Sequence, residues 1–131
     1  MPFKRHTPST IRPPFANYVH GVEVPAGARL LVCSGQLGIA PNDEIPAGVE
    51  EQTELCFENM RAILKSAGMD FADIIRLNSY VTGREHLAGY MKVRDRYIGD
   101  PPCASTLMIV SGFARPEFLV EIEALAAKVD A

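Results

Sequence analysis

The chain has 131 residues, enough for one compact domain with a working core and too few for two. Apolar residues make up 47% and charged residues 22%, a globular balance that excludes the low-hydropathy, high-charge composition of a disordered chain. A formal net charge of -3 supplies no general cationic field for a phosphate backbone and argues against nucleic acid as a partner.

Residues 1–15 form a proline-rich arm, expected to be extended. Its Lys4, Arg5 and His6 read as solvated charge, and it lacks the apolar core of a secretory signal. No apolar run in the chain reaches membrane-spanning length, so no membrane partner is expected. Residues 18–24 and 30–34 read as strands around Pro25-Ala26-Gly27-Ala28, which predicts a hairpin. Residues 38–48, with Pro41, Asn42, Asp43 and Pro46, read as a loop.

Val49, Thr53, Cys56, Phe57, Met60, Ile63, Leu64 and Ala67 then recur at three- and four-residue spacing, which predicts an amphipathic helix. Glu50, Glu51 and Glu54 near its start and Lys65 near its end suit the helix dipole, and Gly68 supplies a stop. Strands follow at 74–82, 105–110 and 118–126, with a second helix at 85–98 and turns at 99–102 and 112–116. This order lacks the strict βα alternation of a doubly wound sheet. It predicts a single domain over residues 1–131, a two-layer α+β fold with both helices on one face of a mostly antiparallel sheet.

Alternation assigns the strand faces. Phe118, Val120, Ile122, Ala124 and Ala126 should meet the helices, leaving Leu119, Glu121, Glu123 and Leu125 on the reverse. In the strand at 74–82, Ile75, Leu77 and Val81 are expected in the core, with Ile74, Arg76, Asn78 and Tyr80 opposite. A mixed helix-free face of this kind suits subunit packing around polar pockets.

The cysteines Cys33, Cys56 and Cys103 form no C-x-x-C pair and are odd in number, which points to a reducing cytoplasm and to packing roles. His6, His20 and His86 show no metal-ligand spacing, and no Gly-rich phosphate loop is present.

Several segments carry a resemblance to a known family. They are Asn17-Tyr18-Val19-His20-Gly21-Val22, Ser34-Gly35-Gln36, Gln52 with Asn59, Ala67-Gly68 with Asp73-Ile74-Ile75, and Leu119-Val120-Glu121-Ile122-Glu123-Ala124. Over about residues 14–127 the chain resembles the Rid (RidA/YjgF) family, historically labelled endoribonuclease L-PSP. The resemblance implies a chorismate-mutase-like subunit in a homotrimer, with clefts between neighbours that take a small-molecule ligand. Typical members hydrolyse reactive enamines and imines to 2-oxo acids and ammonia, without metal or cofactor.

Carried over by position, the resemblance makes Glu123 the acid that orients the attacking water, and Tyr18, Ser34 and Gly35 ligand-lining residues. It also exposes departures. The Pro-x-Arg-Ser-like segment, whose arginine grips a substrate carboxylate, reads Pro102-Cys103-Ala104-Ser105, so Ala104 stands where the clamp belongs. Met91 replaces an asparagine found in many enamine hydrolases, and Thr106 replaces a cysteine or similar small residue. Arg94, Arg96 and Arg115 are candidate substitutes, and local spacing does not rank them.

Two functions stay open: a Rid-type hydrolase or deaminase of altered specificity, and a non-catalytic trimeric binding or regulatory module. Endoribonuclease activity is the weakest reading, since the chain lacks a basic stripe interleaved with aromatics and a histidine pair for acid and base. Each candidate also has a structural role open to it. Glu121 and Glu123 could pair with Arg76 or Arg115, His20 could be a hydrogen-bonded interface histidine, and Cys103 a packing residue.

Overall fold

The apolar stripe that begins at Val49 becomes an 18-residue helix in the computed structural model, which describes residues 3–130. In chain order the elements are β1 (Arg5–His6), β2 (Gly21–Val22), β3 (Arg29–Leu37), α1 (Val49–Ser66), β4 (Ile74–Val81), α2 (Leu87–Tyr97), β5 (Ala104–Ile109) and β6 (Val120–Lys128). Helix α1 stops where expected. Gly68 adopts φ 71°, and its N–H and that of Met69 donate to the Lys65 and Leu64 carbonyls.

The main sheet has the order β3-β6-β4-β5, antiparallel except for the β4–β5 pair. A 3-10 turn at Arg84–His86 and α2 make the crossover that a parallel pair requires. Both helices contribute to the core between the layers: Phe57, Met60 and Leu64 of α1 and Tyr90 and Val93 of α2 pack with Leu77, Val81, Val120 and Ile122 of the sheet. The Phe57 ring stacks on Tyr97 at 4.8 Å between centroids, joining the two helices. Gln52, fully buried, ties α1 to two loops. Its Nε2 donates to the Pro46 and Glu117 carbonyls, both at 2.8 Å, and its Oε1 accepts from the Leu119 N–H at 2.9 Å. Gly38 permits this, because a Cβ there would lie 2.5 Å from the Gln52 Cβ.

The α+β architecture, both helices and the face assignment of β6 agree with the sequence. Other expectations are corrected. The hairpin between residues 18–24 and 30–34 does not form: β2 pairs antiparallel with β1 from the N-terminal arm, and Val19 bridges to Ala104 beside β5. The arm is therefore partly structural, with Arg5 half-buried and its Nε donating to the Pro102 carbonyl at 2.7 Å. Ile74 and Ile75 exchange their expected faces. The β4–β6 register jumps from Ile74↔Ala126 to Arg76↔Leu125, so Ile75 is the extra residue of a bulge and Ile74 is buried at 2% exposure.

Candidate ligand cleft and carboxylate site

On the helix-free face, strand register arranges the side chains in rows. Ala104, Arg76 and Leu125 are neighbours in one, Thr106, Asn78 and Glu123 in the next, and Met108, Tyr80 and Glu121 in a third. Glu123 lies among donors. Its Oε1 accepts from Tyr80 Oη at 2.8 Å and from Asn78 Nδ2 at 3.2 Å. The bond to the carboxylate pushes the Tyr80 phenol up from its ordinary value. Glu121, one row along, has its carboxyl raised by burial and then by the Glu123 charge. Its side chain lies against Gly35, where a Cβ would come within 2.9 Å of Oε2. Arg76 Nη2 donates to Thr106 Oγ1 at 2.7 Å.

At the β5 edge of the sheet lies a cavity of about 310 Å³. The chain entering β2 is held along β5 by the Val19 N–H, which donates to the Cys103 carbonyl at 3.0 Å. This brings Phe15 and Tyr18 to one wall, with Met91 and Arg94 of α2 and Ser105 and Thr106 of β5 on the others. The Tyr18 hydroxyl accepts from the Phe15 N–H at 3.2 Å. Arg94 is only 4% exposed because the periodicity of α2 turns it, with Tyr90 and Val93, toward the core layer. Its Nε and Nη2 both donate to Asp95 Oδ1, at 3.2 and 3.0 Å.

A separate groove of about 180 Å³ contains Glu123 together with Val32, Asn78 and Leu125, and shares no lining residue with the cavity. Among the residues proposed from sequence, Tyr18, Met91 and Thr106 thus come together, and Glu123, across Asn78 from Thr106 in the same row, lines the neighbouring groove. Ser34 and Gly35 sit at a register shift in β3, on the opposite edge of the sheet from β5, and line neither space. Ala104 is 8% exposed, beside Arg76 rather than in the cavity wall.

The three candidate arginines separate clearly. Arg96 bonds Glu54 and Arg115 bonds Glu117 on exposed surfaces, whereas Arg94 lines the cavity. Arg76 and Arg115 do not pair with Glu123 among the described residues, and the donors that hold it, Asn78 and Tyr80, were legible only as its face-mates. His20 Nε2 is hydrogen-bonded to the Arg12 carbonyl at 2.9 Å, with its ring edge-on to Tyr18 at 6.1 Å, a structural engagement. All three cysteines are buried. Burial raises each thiol, Cys56 to about 12, so they are poor nucleophiles in this state. Among the described residues no group of three or more His, Cys, Asp or Glu side chains could hold a metal ion, and no helix is long and apolar enough to cross a membrane.

The family model described as Endoribonuclease L-PSP matches residues 9–128. The Escherichia coli (strain K12) protein named "Putative reactive intermediate deaminase TdcF" is 30% identical over 114 residues, covering 85% of this chain and 86% of its own. "RutC family protein PH0854" of Pyrococcus horikoshii is 31% identical over 128 residues, covering 96% and 95%. The crystal structure of YyfB from Yersinia pestis, described as a Rid family protein of unknown function, superposes with a TM-score of 0.84 at 32% identity, covering 98% of this chain and 100% of that one. RidA from a Psychrobacter species superposes with a TM-score of 0.71 at 26% identity, covering 96% and 98%. With the same fold, relatives at 30% identity or more and a family match along nearly its whole length, the chain belongs to the Rid family.

Proposed function

We propose that the protein is a Rid-type hydrolase of small imines or enamines, working in clefts between the subunits of a homotrimer. The observation that carries this reading is the Glu123 carboxylate: one oxygen is fixed by Tyr80 and Asn78, which leaves the other to take a proton from a substrate water. Water adds to the C=N carbon while a proton passes through the carboxylate to nitrogen. The carbinolamine then collapses, so that an imine and water become a carbonyl compound and ammonia. The cavity with Tyr18, Met91 and Thr106 holds the substrate, and because Glu123 opens on a different groove, the two halves meet across a subunit boundary. The deaminase name borne by the Escherichia coli relative supports the same class of reaction.

Ammonia release from imines generated in place by an amino-acid oxidase tests the reading. Wild type should accelerate it, and Glu123→Gln should reduce the acceleration by about 10²-fold or more, the scale of general acid–base catalysis. Equal rates in the two proteins would refute the role of Glu123. The absence of a guanidinium at Ala104 favours a second reading, a trimeric small-molecule binding module. Under that reading wild type shows no acceleration while still binding ligand in the cleft.

A further inference from the structure

We infer that Arg94 is the anion-holding group of the cavity, and that the ligand it selects carries a carboxylate. A guanidinium that is 4% exposed must be compensated, and among the described residues its carboxylate partner is the adjacent Asp95, whose own side chain is 51% exposed. Asp95 engages Arg94 through a single oxygen. That contact takes Nε and Nη2 and leaves Nη1 outside it, with the Tyr90 hydroxyl the other polar group beside the guanidinium. Arg94 lines the cavity, where Tyr18 and Ser105 add hydroxyl groups.

A guanidinium lining such a cavity, with Nη1 outside the Asp95 contact, suits an oxygen of a small carboxylate, and the hydroxyls offer it further donors. A charged hydrogen bond in a site this sheltered discriminates strongly against a neutral analogue. Arg76, whose strand neighbour on β5 is Ala104, donates to Thr106 Oγ1 on the helix-free face and does not line the cavity. Placing the anion at Arg94 moves the cation from the strand position of Ala104 to the third residue after Met91 on α2. The ligand is then held from the helix side of the cavity, a different pose from one gripped at β5.

The location of the ligand rests on the cleft reading above; the chemistry of Arg94 does not. Calorimetric titration with 2-oxobutyrate and with the neutral analogue butanone separates the two. Wild type should prefer 2-oxobutyrate by at least about tenfold, Arg94→Gln should lose that preference, Arg94→Lys should recover part of it, and Arg76→Gln should keep it.

A folded Arg94→Gln with the preference intact, or its loss in Arg76→Gln, would each overturn the inference. Should Arg94→Gln fail to fold, the Arg94→Lys and Arg76→Gln titrations decide alone, a preference undiminished in Arg94→Lys or lost in Arg76→Gln overturning the inference. Imine hydrolysis measured on the same proteins distinguishes the two claims. Hydrolysis by wild type with no dependence of binding on Arg94 sinks only this inference, and carboxylate binding through Arg94 without hydrolysis sinks only the enzymatic reading.

Discussion

Two carboxylates one row apart on a sheet face meet different fates according to their neighbours. Glu123 accepts two hydrogen bonds, and Glu121 is pressed against Gly35, its carboxyl raised by burial and by the charge beside it. Folded Glu121 therefore keeps its proton over a range in which the unfolded chain has lost it. The folded state binds more protons there, so stability falls as pH rises above the ordinary carboxyl value of 4.5. Replacing Glu121 with Gln removes this contribution. The variant should melt with wild type near pH 3 and above it near pH 7, and thermal melts across that range check the sign. Both carboxylates were assigned to the helix-free face by alternation alone. The Asn78 and Tyr80 bonds to Glu123 needed the register of β4 against β6, which no local pattern contains.

Helix α1 was legible almost to the residue because its 3.6-residue period repeats over 18 positions and ends at a glycine in the left-handed region. The short strands were not. Gly21–Val22 pairs with Arg5–His6 across a proline-rich stretch, whereas the turn at Pro25-Ala26-Gly27-Ala28 suggested the nearer partner. Likewise a single extra residue at Ile75 exchanges the faces of two isoleucines without any signal in composition. Gln52 entered as a motif residue of the family resemblance and emerges as the brace joining α1 to the loops before α1 and β6. Gln52→Leu keeps the volume and strips three backbone groups of their partner. It should destabilise the fold by about 1–3 kcal/mol for each group left buried and unpaired, lowering the urea midpoint with little change in slope. A midpoint equal to wild type would show that water replaces all three bonds.

The helix-free face as a whole carries Leu30, Val32 and Met108 at 59%, 70% and 55% exposure around its polar rows. Apolar area of this kind, beside a carboxylate and a cavity that open separately, is what a cyclic assembly would cover. One subunit's cavity would then face its neighbour's Glu123, an arrangement that no single-chain pattern reveals. The most direct test mixes two inactive proteins. Glu123→Gln lacks the acid, and Thr106→Trp fills the mouth of the cavity while keeping its own Glu123. Each homotrimer should be inactive, and subunits exchanged at equal ratio should regain imine hydrolysis, since random mixing leaves about a quarter of the sites with both halves intact. Mixed trimers confirmed by native mass spectrometry yet showing no recovered hydrolysis would contradict a site shared between subunits.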